Sequence, residues 1–259
     1  MIKQVFILHN PKIKGIEKVK KEIEDLLKDC GKVVEESPKD ADLIITMGGD
    51  GTFLKGVHLV ESPHTFVYGI KYGKVGFLTH SAEDIKEKLT KVLTGNFKIS
   101  KRMMLEISVK REGNFIKDFC LNEVLVFRKG IRIIDISVSS RKEEIFSHLR
   151  CDGVIISTPT GSTAHSLSAS GPVVSPEVEC ILLVPVAPYS LSWRPVVISS
   201  KEILSIEVSQ EAVIVMDGQK EIPVESSDRI VVKKSAKKVN IVIEDGFFDR
   251  LRSKFHWGS

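Results

Sequence analysis

LIITMGGDGTFL, residues 43–54, joins an apolar run to a glycine-rich turn and then to the start of a helix. Leu43, Ile44 and Ile45 read as a buried strand, and the segment from about Thr52 to Val60 reads as a helix. Strand, glycine turn and helix in that order make the repeating unit of an open α/β sheet, which places ligands at the carboxyl ends of its strands. Gly48, Gly49 and Gly51 suggest backbone at positive φ that approaches an anion with no Cβ in the way. Gly48, Gly49 and Thr52 are therefore assigned to a phosphate loop at the start of the helix. Asp50 conflicts with that reading, because two like charges about 4 Å apart cost roughly 4 kcal/mol at an effective dielectric of about 20. An acid so placed has to do chemistry, hold a metal, or lie away from phosphate. The turn is neither a Walker A loop, since no Gly-Lys-Ser/Thr follows, nor a G-x-G-x-x-G fingerprint.

The same alternation extends on both sides. Val5 to Leu8 reads as a buried strand, and Ile16, Val19, Ile23, Leu26 and Leu27 repeat at helical spacing until Gly31. Thr65 to Gly69 reads as a further strand, and Ser81 with Asp84 as a capping box before a helix carrying Ile85, Leu89 and Val92. These elements predict a mostly parallel sheet. From about residue 100 strand signals dominate: a hairpin around Glu112-Gly113-Asn114, then apolar runs at 124–127, 131–138, 154–157, 181–184, 203–208, 213–216 and 230–232. Only Ser162 to Ser170 reads as helix there. The fold class is thus α/β, with an N-terminal α/β part and a β-rich C-terminal part.

Composition narrows the function. The chain has 259 residues, 42% hydrophobic and 28% charged, with a net charge of +4. That excess suits an anionic small molecule and is too small and scattered for nucleic acid. Lys233–Lys234 and Lys237–Lys238 read as solvated strand ends. Cys30, Cys120, Cys151 and Cys180 form no C-x-x-C pair, and the histidines form no H-x-x-x-H pair, so no fixed metal site is expected. No long apolar run and no signal-peptide order occur, which leads us to expect a cytoplasmic protein with no membrane partner.

Two further stretches are candidates for binding. Asn122-Glu123 interrupts an apolar run with an amide and a carboxylate, a pair suited to ribose hydroxyls or an adenine edge. CDGVIISTPTGSTAHSLSASGPVVSP, residues 151–176, leads an apolar strand into a series of hydroxyls and glycines.

Together GGDGTFL (48–54), NE (122–123) and TPTGSTAHSLSASGP (158–172) resemble the NAD kinase family. The resemblance runs from the first strand to about Lys220 and includes GKVGFLTH (73–80), KRMML (101–105), CDG (151–153) and SWRPVVIS (192–199). The glycine turn alone is shared with diacylglycerol kinases, sphingosine kinases and phosphofructokinases. The Ser/Thr-rich motif following Asn122-Glu123 is what singles out this family. The resemblance implies an α/β domain at 1–100, a β-rich NAD-binding domain at 101–234, and a tail at 235–259 that returns to the first domain. It implies transfer of the terminal phosphate of ATP, accompanied by Mg²⁺, to the 2′-hydroxyl on the adenosine side of NAD, giving NADP. Asp50 would be the general base, Gly51 beside it would contact substrate, and Lys55 and Arg150 would meet phosphates. Asn122 and Glu123 would hold ribose and adenine, and Asp152 would lie near the nicotinamide half. Thr163, Ala164, His165, Ser166, Leu167 and Ser168 would line the adenine and nicotinamide pockets, with Gln219 as a further contact. The family is usually a homodimer or homotetramer. Three positions depart from its pattern: His165 for Tyr, Lys71 for Asn, and His80 for an acid. The rival readings are a lipid kinase sharing the glycine turn, and a non-catalytic NAD(P) sensor.

Overall fold

A computed structural model of the chain describes residues 2–72, 76–141 and 143–255. The chain divides into two units: residues up to 102 together with those from 238 onward, and residues 103–237.

The first unit contains β1 (Gln4–His9), α1 (Ile16–Asp29), β2 (Val33–Glu35), β3 (Leu43–Gly48), α2 (Asp50–His58), β4 (Phe66–Lys71), β5 (His80–Ser81) and α3 (Ile85–Leu93). Its strands run parallel in the order β2-β1-β3-β4, with β5 beside the end of β4. Every residue of β3 is buried, so its sequence is a continuous apolar run rather than an alternation. Ile16, Ile23 and Leu27 of α1 join Val5, Leu43, Ile45, Tyr68 and Leu89 in one core. Each such side chain stabilises the fold by about 1.5–3 kcal/mol through removal from water. Gly31 closes α1 with φ of +67°. The expected Ser81–Asp84 capping box does not form: Ser81 ends β5, α3 starts only at Ile85, and the Ser81 hydroxyl accepts the Glu83 N–H instead.

The second unit contains β6 (Lys98–Arg111, entering from the first), β7 (Asn114–Cys120), β8 (Glu123–Arg128), β9 (Ile134–Ser139), β10 (Glu144–Cys151), β11 (Gly153–Ser157), α4 (His165–Ser168), β12 (Cys180–Val186), β13 (Val196–Ser199), β14 (Ile203–Val208), β15 (Ala212–Met216) and β16 (Lys220–Val224). β17 (Arg229–Ile243) starts here and ends in the first unit. Glu112 and Gly113, both at positive φ, turn the β6–β7 hairpin. One sheet is antiparallel in the order β13-β12-β11-β8-β15-β16. A second layer includes β10-β9-β14-β17, also antiparallel. Val124, Val126, Ile156 and Leu183 of the first layer share one buried cluster with Ile136, Val138, Leu204 and Ile206 of the second, which makes a sandwich.

Two local expectations change. The basic pairs 233–234 and 237–238 are not strand ends but lie within the long β17. There Lys233 and Lys234 pair with Glu106 and Glu179, and Lys237 sits over the Phe119 ring. Residues 162–170 are not one helix, since a 3₁₀ turn at Gly161–Thr163 is separated from the short α4 by Ala164. The Ser162 hydroxyl pins that turn to Pro159 and Val174.

In the first unit, the last residues of β17 pair in parallel with the start of β4, Asn240 opposite Phe66 and Ile241 opposite Val67. Helix α5 (Phe247–Phe255) follows. Among the described residues no helix is long and apolar enough to cross a membrane.

Candidate active-site residues

Asp50 is the first residue of α2, at the carboxyl end of β3. The turn is not built on left-handed backbone: Gly48 ends a strand, Gly49 has φ of −94°, and Gly51 is helical. Gly48 is needed for space, since a Cβ there would lie 2.3 Å from the Thr52 hydroxyl oxygen. The helix N-terminus offers N–H groups without intrahelical partners and the positive end of the dipole, so a carboxylate is stable there.

A second segment fixes the Asp50 carboxylate. Oδ2 accepts the Phe77 N–H at 2.5 Å, and Oδ1 accepts the Leu78 N–H at 3.1 Å and the Thr79 hydroxyl at 3.3 Å. Gly76 passes so close that a Cβ would lie 2.2 Å from Oδ1. A carboxylate has about four acceptor sites. Among the described residues these donors fill both sites on Oδ1 and one on Oδ2, leaving one Oδ2 lone pair to accept a proton. Gly73, Lys74 and Val75, the first residues of the GKVGFLTH motif, lie outside the described residues. Lys55 and Gly51 are exposed on α2, and Thr52 is buried.

In the second unit, Asn122 and Glu123 stand at the start of β8 and are 6% and 7% exposed. Asn122 Oδ1 and Glu123 Oε2 are both buried with no hydrogen-bond partner among the described residues. An orphaned buried acceptor costs about 1–3 kcal/mol, and a ligand donor relieves that cost. Their backbone is held by the buried Asp217, whose carboxylate accepts the N–H groups of Leu121 at 2.8 Å, Asn122 at 2.7 Å and Glu123 at 3.3 Å. Burial first, and the charge of Asp217 second, push the Glu123 carboxyl up to about 8.

Ser157, the last residue of β11, lies opposite Glu123, which brings the hydroxyl-rich segment to the same sheet end. The Thr158 hydroxyl donates to the Leu121 carbonyl at 2.6 Å, and the Thr158 N–H donates to the Asn122 carbonyl at 2.8 Å. Ser166 is fully buried, and its hydroxyl has no partner among the described residues. Thr163, Ala164 and Leu167 are half-buried, while His165 and Ser168 are exposed on α4. The Gln219 amide donates to the Asp217 carbonyl, within the same cluster.

Arg150 and Asp152 fall elsewhere. Asp152 precedes β11 and bonds Arg128, which the sheet register places about 16 Å along the strands from Glu123. Arg150 is exposed, near Asp135 and over the Tyr189 ring. Sequence reasoning did not pick out Asp217, Thr158, or the Phe77–Thr79 donors. An Asp-Gly turn after the apolar run 213–216 was the only local signal for Asp217.

Comparison with known proteins identifies the family. Family models describing the ATP-NAD kinase N-terminal and C-terminal domains match residues 9–97 and 121–243. An NAD kinase from Methanothermobacter thermautotrophicus is 38% identical, covering 83% of this chain and 76% of that protein. One from Geobacter sulfurreducens is 35% identical, covering 88% and 83%. The structure of an Archaeoglobus fulgidus NAD kinase in complex with ATP is 29% identical with a TM-score of 0.81, covering 98% of this chain and 97% of that one. A yeast NADH kinase in complex with NADH, 24% identical, shares the fold with a TM-score of 0.90 over 100% of this chain and 89% of that one. The chain belongs to the NAD kinase family, whose activity is the ATP-dependent phosphorylation of NAD.

Proposed function

We propose that Asp50 is the general base of this NAD kinase, and that Asn122 and Glu123 select the adenosine half of NAD. The observation that carries the first assignment is the Asp50 carboxylate held by donors from Phe77, Leu78 and Thr79, with one Oδ2 lone pair open among the described residues. As the 2′-oxygen of the adenosine ribose bonds to the terminal phosphorus of ATP, its proton passes to that lone pair, and ADP departs with the electrons of the broken P–O bond. Base assistance of this kind contributes about 10²- to 10⁴-fold, with positioning and charge stabilisation supplying the rest.

The orphaned Asn122 Oδ1 and Glu123 Oε2 support the second assignment, because ribose hydroxyls and the adenine amino group are donors. The buried Ser166 hydroxyl and the exposed His165 ring add a polar group and a flat face from the same segment. Lys55, Arg150, Asp152 and Gln219 would contact the rest of the dinucleotide or the donor phosphates. Among the described residues no group of His, Cys, Asp and Glu converges as a metal cage. That donor set suits an ion held chiefly by substrate phosphates, as Mg²⁺ commonly is, with Asp50 the nearest carboxylate to the turn. Such an ion neutralises phosphate charge when bound.

Incubation with NAD, ATP and Mg²⁺, followed by detection of NADP with an NADP-specific dehydrogenase, tests the reading. NADP formation by the wild type that is lost in Asp50→Asn supports it, and equal formation by both contradicts the base assignment.

A further inference from the structure

We propose that Arg250, in the C-terminal helix α5, is a positioning residue that holds the Asp50 carboxylate in its working orientation through the Phe77–Leu78 peptide. The proposal rests on the reading of Asp50 as the base.

The argument starts from that peptide. Its C=O, on Phe77, accepts Arg250 Nη1 at 2.8 Å, and its N–H, on Leu78, donates to Asp50 Oδ1 at 3.1 Å. A peptide group is planar and rigid, so its C=O and N–H turn together. Fixing the carbonyl from one side therefore fixes the donor on the other, and bonds chained through one peptide polarise each other. Removing the guanidinium frees the plane to rotate toward any other donor, and Asp50 then loses the nearer of the two donors on Oδ1.

Arg250 is itself held in place. It is buried at 7% exposure, its Nη2 lies 3.2 Å from Nε2 and 3.4 Å from Nδ1 of the His80 ring, and its own N–H closes on the Gly246 carbonyl. His80 Nε2 also lies 3.1 Å from the Val242 carbonyl, which ties the ring to the end of β17. The rings of Phe247 and Phe255, from the two ends of α5, pack on Phe77 at 6.0 and 5.9 Å. Leu251 seals the helix at 1% exposure. Arginine suits this place because its planar fork meets the Phe77 carbonyl and the His80 ring at once, which a lysine ammonium on a flexible stem does not. Helix α5 lies beyond the segments 9–97 and 121–243 matched by the family models, so neither model includes this contact.

Steady-state kinetics of Arg250→Met and Arg250→Lys, each beside thermal unfolding, tests the proposal. Methionine keeps an apolar stem and loses every donor. Displacements of about 1 Å in a reacting group cost on the order of 10²-fold, so Arg250→Met should lower kcat 10- to 100-fold with KM for NAD and ATP within about twofold. Arg250→Lys keeps the charge and loses the planar fork, so it should lower kcat a few-fold, less than methionine does, at unchanged KM. In an Asp50→Asn background, Arg250→Met should change the residual rate little, because the two act through one group. A normal kcat in Arg250→Met overturns the proposal, as does an equal loss in the Asp50→Asn background. Near-normal turnover of Asp50→Asn alone contradicts instead the reading of Asp50. Should Arg250→Met not fold, Arg250→Lys decides: a lowered kcat at unchanged KM supports the proposal, and an unchanged kcat overturns it.

Discussion

Glu123→Gln should separate what Glu123 does for substrate from what it does to the fold. The carboxyl is buried beside Asp217, and burial first, then that neighbour's charge, push it from 4.5 up to about 8. Between those values the folded protein carries a proton that the unfolded chain has released. Stability therefore falls as pH rises through this window, by about 1.4 kcal/mol per pH unit. The accumulated loss is about 3 kcal/mol at pH 7 and levels off near about 5 kcal/mol above the folded value. Glutamine has the same shape and does not titrate. Urea unfolding of the nucleotide-free proteins from about pH 5 to about pH 8 should show the variant gaining on the wild type by about 1.4 kcal/mol per unit. The same variant should raise KM for NAD, with a smaller effect on KM for ATP. A stability difference that does not change with pH would refute the claim that this carboxyl is desolvated. Equal shifts of both KM values would assign Glu123 to the loop rather than to NAD.

Two other positions give separate tests. His80 is buried, and desolvation with the charge of Arg250 lowers it to about 4 from 6.5. Its contribution is full above about pH 6.5 and is lost as pH falls toward 4, a difference of about 3 kcal/mol that His80→Asn should remove from the acid limb of the unfolding curve. The exposed ring of His165 offers a stacking face of roughly 1 kcal/mol. His165→Tyr should keep activity and His165→Ala should raise KM for NAD about tenfold, while an unchanged KM in the Ala variant would remove His165 from the site.

The sequence made the centre of the first unit readable, because β3 and α2 carry continuous apolar and helical patterns on either side of the glycine turn. It made the six-stranded layer readable where strands are buried, as in 124–127 and 181–184. Edge elements were not: β13 is half-exposed, β16 carries Pro223, and β10 is interrupted by irregular register and by His148 at φ of 47°. Those strands lack a clean alternation, and proline in a strand normally argues against one. The polar interior of β17 hid its length for the same reason. In the candidate site, Asp50, Asn122 and Glu123 stood out because each breaks an apolar or glycine pattern. Their supports did not, since Asp217 lies 95 residues from Asn122, and Arg250 lies 173 from Phe77. No local pattern encodes a hydrogen bond made across such separations.

The central claim is that the carboxylate at the start of α2 takes the proton from the attacking hydroxyl. The most direct measurement is kcat of Asp50→Asn together with NAD affinity by calorimetry. The amide keeps the shape and cannot serve as base, so kcat should fall by about 10²- to 10⁴-fold while the Kd for NAD stays within about twofold of the wild type. Near-normal turnover would contradict the account, and lost NAD affinity with normal kcat would make Asp50 a recognition residue instead.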